Sequence, residues 1–305
     1  MRKKPLPLKT GDVIAVYAPA GPVNRSRLER GIARLSAAGF VPEIADDVFE
    51  AKGYLAGDDE HRARRLEWAL TLPEARAAMA ARGGYGTMRL LPLIDWKRFA
   101  GRPRLLIGYS DITAILAYVS TRLKIPCIHG PMAATDLALK IDASALDAFV
   151  RLAAGKVSPD EPWGDAMERL RGAGAEGVLA GGCLSVLTSM LSTPYEPDFR
   201  GTLLFLEDVN EPAYRIDRML TQWVQSGRWS NISGIMVGNI APVRGETQED
   251  IHRLFLDVGK CLSVPVWCGF PAGHGGKNVA IPFGVRARID GKGRLRLLEP
   301  PVREG

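Results

Sequence analysis

A chain of 305 residues, 46% hydrophobic and 24% charged, is long enough for two domains with separate cores and has the balance of a soluble globular protein. The net charge of +6 favours acidic partners in general, but it is scattered, with no block of basic residues to mark a nucleic-acid partner. No apolar run approaches the ~20 residues of a membrane span, so no membrane partner is expected. The Met-Arg-Lys-Lys start is followed by a proline-broken polar stretch rather than a signal peptide, and the expected location is cytoplasmic. Cys127, Cys183, Cys261 and Cys268 include no Cys-x-x-Cys pair, which argues against a disulfide scaffold or zinc cluster and for reduced, buried thiols.

Val13-Ile-Ala-Val-Tyr-Ala18 reads as a buried strand ended by Pro19-Ala-Gly-Pro22. A helix is predicted over 25–38, with Leu28, Ile32 and Leu35 at helical spacing and Gly39 after it. A strand over 41–44, a basic helix over 58–70 and a strand over 77–81 lead into the glycine turn Gly83-Gly84-Tyr85-Gly86. The strand over 105–107 runs into Ser110, and an apolar helix follows over 112–123. Strands alternating with helices of this length predict an α/β fold with a parallel sheet covered on both faces. Pro, Gly and polar residues dominate 155–175, which reads as an interdomain linker between domains 1–154 and 176–305. Beyond it, strands are predicted over 176–180, 202–206, 234–238 and 264–267, then a hairpin over 285–298 around Asp290-Gly.

In Leu105-Leu-Ile-Gly-Tyr-Ser-Asp-Ile-Thr113 a strand, a tight turn and a helix follow in immediate succession. That geometry lifts a serine hydroxyl clear of a parallel sheet, so Ser110 is a candidate nucleophile, with the Asp111 amide facing a developing oxyanion. The competing reading makes Ser110 or Asp111 a helix cap. Arg82-Gly-Gly-Tyr-Gly86 lets backbone amides approach a ligand and suits a second oxyanion donor, or is simply a flexible turn. Of the four histidines, His61 and His252 lie in polar helical segments, and His129 follows a short strand. His274 stands in the loop Gly269-Phe-Pro-Ala-Gly-His-Gly-Gly-Lys-Asn278, directly after a strand, and is the best candidate base. Glu207, at the carboxyl end of a buried strand, is the candidate orienting acid; Asp208 competes, with strand alternation pointing it the other way.

These segments resemble the LD-carboxypeptidases, or muramoyltetrapeptide carboxypeptidases, over essentially the whole chain. The resemblance is carried by Gly11-Asp-Val-Ile-Ala-Val, Arg82-Gly-Gly-Tyr-Gly, Gly108-Tyr-Ser-Asp-Ile-Thr, Leu206-Glu-Asp-Val-Asn-Glu-Pro-Ala-Tyr-Arg-Ile-Asp217 and Phe270-Pro-Ala-Gly-His-Gly-Gly-Lys-Asn-Val-Ala-Ile-Pro-Phe-Gly284. It implies a Ser-Glu-His triad at Ser110, Glu207 and His274, with oxyanion donors at the Gly84 and Asp111 amides. It also implies a flavodoxin-like N-terminal domain, a smaller β-rich C-terminal domain, a site between them, and a homodimer. The implied reaction removes the terminal D-alanine from a cytoplasmic murein tetrapeptide, a small peptide substrate, during peptidoglycan recycling; it needs no metal or organic cofactor. Arg82, beside the glycine turn, is a candidate for binding the terminal carboxylate. Cys183 stands where similar proteins usually carry Asn. The microcin self-immunity peptidases share fold and triad but act on nucleotide conjugates; Trp163 lies in the linker where a nucleotide-stacking residue could act, the competing reading being a tryptophan that packs an interdomain seam. A two-lobed protein that only binds a ligand is the remaining alternative.

Overall fold

The computed structural model describes residues 3–139 and 141–303; the first two residues of the basic start lie outside them. In the first half, strands β1 (Val13–Tyr17), β2 (Val41–Ile44), β3 (Ala75–Ala80), β4 (Leu105–Gly108) and β5 (Cys127–His129) alternate with helices. These helices are α1 (Arg25–Ala37), α2 (Asp59–Thr71), α3 (Trp96–Gly101), α4 (Thr113–Thr121) and α5 (Ala143–Ala153). Asn24, Asp58, Asp95 and Asp142 cap α1, α2, α3 and α5 through side-chain oxygens that accept from first-turn amides. The five strands are parallel in the order β2-β1-β3-β4-β5, which is the flavodoxin-like order. Covered on both faces, β1, β3 and β4 are apolar except for Arg76 at the start of β3 and almost entirely buried, whereas the edge strand β2 alternates exposed and half-buried residues and tolerates Pro42.

The second half contributes β6 (Glu168–Arg171), β7 (Ala175–Cys183), β8 (Thr202–Asp208), β9 (Gly234–Ile240), β10 (Val266–Cys268), β11 (Ile281–Phe283), β12 (Val285–Ile289) and β13 (Leu295–Leu297). Its helices are α6 (Leu184–Ser189), α7 (Ala213–Gln225) and α8 (Gln248–Leu262). Seven of these strands form a sheet ordered β13-β12-β7-β8-β9-β10-β6, parallel from β7 to β10 and antiparallel at both ends. Leu204, Leu206, Ile216, Leu220, Phe255 and the stacked pair Trp223 and Trp229 fill the core under α7 and α8.

Two elements depart from the sequence reading. Segment 155–175, expected to be a linker, is built into the second domain: β6 pairs antiparallel with β10, and Trp163 and Met167 are buried, donating their amides to Leu295 and Gly293. Pro and Gly density suggested a linker, but Glu168-Arg-Leu-Arg171 has the charged pattern that protects a sheet edge. The other departure is β11, which leaves the second half and joins the first sheet antiparallel to β5, with Ile281 opposite His129. Pro282 hid this strand from a pattern search, yet an edge position tolerates a residue without an N–H. At Gly284 the chain passes straight into the second sheet, its amide donating to the Leu179 carbonyl.

Candidate active site

The site lies at the carboxyl ends of the parallel strands, beside the neighbours β1 and β3 between which the strand order reverses, the switch point at which open α/β sheets hold their ligands. Three backbone turns converge there. Gly21 donates its amide to the Gly83 carbonyl at 3.3 Å, and a Cβ on Gly84 would lie 2.9 Å from the Gly21 nitrogen. A Cβ on Gly83 would lie 2.8 Å from Ser110 Oγ and 3.5 Å from the Asp111 nitrogen. The paired glycines thus bring their backbone against the serine, and the Gly83–Gly84 turn and the Asp111 amide border one small volume around its hydroxyl. Arg82 braces this turn, donating through Nε to the Gly83 carbonyl and through Nη1 to the Pro22 carbonyl, both at 3.1 Å. Among the described residues no carboxylate pairs with Arg82.

Ser110 follows extended Tyr109 and has φ +63°, a left-handed conformation that costs a residue with a side chain about 1–2 kcal/mol. The Ser110–Ile112 turn then passes directly into α4. Neither Ser110 nor Asp111 caps that helix: its N-cap is Ile112, with no side-chain bond. The buried Asp111 carboxylate instead accepts from the Thr87 amide at 2.9 Å, while the Asp111 carbonyl accepts from Thr87 Oγ1, tying the serine turn to the segment after the glycines. Burial raises the Asp111 pKa, opposed by the Thr87 and Gly86 hydrogen bonds.

The second domain supplies the rest. Glu207, fully buried on β8, accepts at one oxygen, Oε2, from both His274 Nδ1 at 2.7 Å and the His274 amide at 3.0 Å. His274 Nε2 lies 3.1 Å from Ser110 Oγ. Burial disfavours the charged imidazole, but the hydrogen bond and charge of Glu207, with Asp208 and Asp136 behind it, outweigh burial and raise the His274 pKa. The order Glu207, His274, Ser110 is therefore one continuous line across the domain boundary. Asp208 points away, accepting from the Ser185 amide at 2.7 Å at the start of α6. Cys183 Sγ lies 3.3 Å from Ser185 Oγ and 3.5 Å from Asp208 Oδ1, and burial with the nearby acids pushes its thiol pKa up.

The other histidines lie outside this line. His129 is buried among Tyr109, Phe205 and Phe283, and burial pushes its pKa down to about 4, so it stays neutral. His61 lies beside Asp47, and His252 beside Glu168. Trp163 is also committed: its indole donates to the Ala280 carbonyl at 2.8 Å and its ring packs under Arg151.

Two positioning residues escaped the sequence reading. Buried Asn278 accepts from the Gly273 amide at 2.9 Å and donates to Asp136 Oδ1 at 3.1 Å, fastening the His274 loop to the first domain. Asn278 was visible inside the glycine-rich motif, but nothing in sequence marks Asp136 as its partner. Gly273 has φ +94°, and a Cβ there would lie 2.5 Å from Glu207 Oε2. Gly273→Ala is expected to push His274 off Glu207, lowering kcat/KM by about 10²-fold and stability by about 1–3 kcal/mol. Steady-state kinetics with thermal unfolding check this, and unchanged kinetics would show that the loop does not hold the imidazole.

Comparison with known proteins agrees with this architecture. The LD-carboxypeptidase N-terminal domain matches residues 14–130, and the C-terminal domain of the same family matches residues 176–289. A probable murein peptide carboxypeptidase of Bacillus subtilis (strain 168) is 34% identical, covering 99% of this chain and 96% of its own. The crystal structure of muramoyltetrapeptide carboxypeptidase from Oxalobacter formigenes superposes with a TM-score of 0.82 at 30% identity, covering 93% of this chain and 97% of that one. Microcin C7 self-immunity protein MccF, solved with aspartyl sulfamoyl adenosine, shares the fold with a TM-score of 0.88 at 22% identity, covering 99% and 100% of the two chains. With both domains matched and a relative of this identity aligned almost end to end, the chain belongs to the LD-carboxypeptidase family.

Proposed function

We propose that the protein is a serine carboxypeptidase that removes terminal D-alanine from a murein tetrapeptide by cleaving its bond to the L-centre of a diamino acid. The observation that carries this reading is the hydrogen-bonded line from Glu207 through His274 to Ser110, in a chain of a carboxypeptidase family. His274 Nε2 takes the Ser110 proton as Oγ attacks the scissile carbonyl, and Glu207 holds the ring and stabilises its imidazolium. The Gly84 and Asp111 amides hold the oxyanion. His274 then protonates the departing D-alanine amine, and water, activated by the same imidazole, hydrolyses the acyl-enzyme. We place the reaction in cytoplasmic wall-peptide recycling by a homodimer, following the family resemblance. The burial of Trp163 weighs against the nucleotide-conjugate alternative, because that ring is not free to stack a base.

The decisive experiment is mass spectrometry of tetrapeptide incubated with the wild type and with Ser110→Ala. Loss of one D-alanine by the wild type alone is expected; equal loss by both, or by neither, overturns the proposal. Arg82 supplies the charge for the substrate's free carboxylate. Wild type is therefore expected to prefer the free acid over the C-terminal amide, and Arg82→Ala to lose about 10-fold or more of that preference. Equal discrimination in both proteins would reduce Arg82 to a brace for the glycine turn.

A further inference from the structure

At the far edge of the second sheet, side chains from three elements converge without any part in the Ser110 site. Cys268 ends β10, Glu168 begins β6, and His252 lies on α8. Cys268 Sγ lies 3.7 Å from His252 Nδ1 and 3.9 Å from Glu168 Oε2, and those two atoms lie 3.9 Å apart. We propose that Glu168, His252 and Cys268 form a binding site for a divalent transition-metal ion, zinc above all, with the remaining coordination position open to water.

The donor atoms form a nearly equilateral triangle. A tetrahedral zinc with bonds of about 2.3 Å to sulfur, 2.0–2.1 Å to nitrogen and 2.0–2.2 Å to oxygen sets its ligands roughly 3.3–3.6 Å apart. A contraction of a few tenths of an ångström therefore seats the ion. At 3.9 Å, by contrast, the imidazole and carboxylate are too far apart to hydrogen-bond directly. The donor set is selective: thiolate and imidazole favour zinc and its neighbours over magnesium or calcium, which demand oxygen. Charge also balances, because a thiolate, a carboxylate and a neutral imidazole neutralise a dication.

Access is built in. The Glu168 side chain is 66% exposed and His252 20%, while Cys268 lies at the closed end. Metal binding exchanges the S–H bond for an S–metal bond and releases one proton to solvent. The bound ion ties edge strand β6 to β10 and α8. Sequence spacing concealed the cluster, because Glu168 and His252 stand 100 and 16 positions before Cys268.

The test titrates the full chain with cobalt(II) chloride and then zinc chloride. Expected results are one cobalt per chain with a thiolate-to-metal charge-transfer band, its displacement by zinc, and a zinc-dependent rise in melting temperature. Cys268→Ser should remove the band and weaken binding by about 100-fold or more, beyond the loss expected from an outer partner alone. Glu168→Ala, at an exposed position, should weaken binding by at least about 10-fold with the metal-free melting temperature unchanged. Cys261→Ser, at the exposed cysteine, should leave the band intact. Absence of a band in the wild type, or equal affinity in the Glu168 and Cys268 variants, overturns the proposal. These readouts do not involve peptidase activity, so they stand apart from the fate of the Ser110 reading.

Discussion

Ser110→Ala lowers kcat by about 10⁶-fold, the loss expected when the nucleophile of a triad that acts as a unit is removed. The melting temperature stays near that of the wild type, because alanine keeps the Cβ and the turn while losing only the hydroxyl. Ser110→Gly separates catalysis from strain. It is equally inactive, but it relieves the left-handed φ of +63°. Against the entropy cost of glycine, a net gain of about 0.5–1 kcal/mol in unfolding free energy is expected. Kinetics and denaturant unfolding of the two variants provide the check. Substantial turnover by either protein would remove Ser110 from the mechanism, and a glycine variant less stable than the alanine one would remove the strain.

Glu207→Gln is expected to lower kcat by about 10²–10⁴-fold, because an amide cannot serve the imidazole as the carboxylate does. If the amide nitrogen faces His274, Nδ1 must accept and Nε2 carries the proton toward Ser110, which disables the base. If the amide oxygen faces His274, the NH₂ takes the place of Glu207 Oε1, a buried atom with no hydrogen-bond partner among the described residues. Either outcome also changes the pH profile. The hydrogen bond and charge of Glu207 raise the His274 pKa against burial, so the acid limb of wild-type kcat/KM lies above the ordinary imidazole value of about 6.5. In the variant, burial is left largely unopposed and that limb moves to lower pH. Stability follows the same sign. Folding raises the His274 pKa, so the pair's contribution is complete below the unfolded value and fades as pH rises through the folded one. The stability gap between wild type and variant is therefore widest in mild acid and narrows toward alkaline pH. A limb that stays in place would show that Glu207 does not set the titration of His274.

Local patterns carried much of this structure. The apolar runs at 13–18 and 105–107 locate strands because a doubly covered parallel sheet buries both faces of each strand. Alternation along β8 separates Glu207 from Asp208, and the structure turns the two carboxylates to different partners. What escaped was tertiary. The positive φ of Ser110 sits in a turn against which Gly83 packs closely, and no residue type announces it. The bond between Asn278 and Asp136 joins residues 142 positions apart. Strands β6 and β11 escaped because one is short and charged and the other carries a proline, the very traits that suit sheet edges.

Strand β11 also bears on how the chain is made. The first sheet is mostly encoded before residue 130, yet the strand that covers β5 lies at Ile281–Phe283. During synthesis, the β5 edge waits unpaired until residues 281–283 have left the ribosome, more than 150 residues after β5 itself. His274 and Asn278 arrive only shortly before that strand. Completing the first sheet and assembling the Ser110 site thus depend on neighbouring stretches of chain, and a nascent chain cut short before residue 274 has neither.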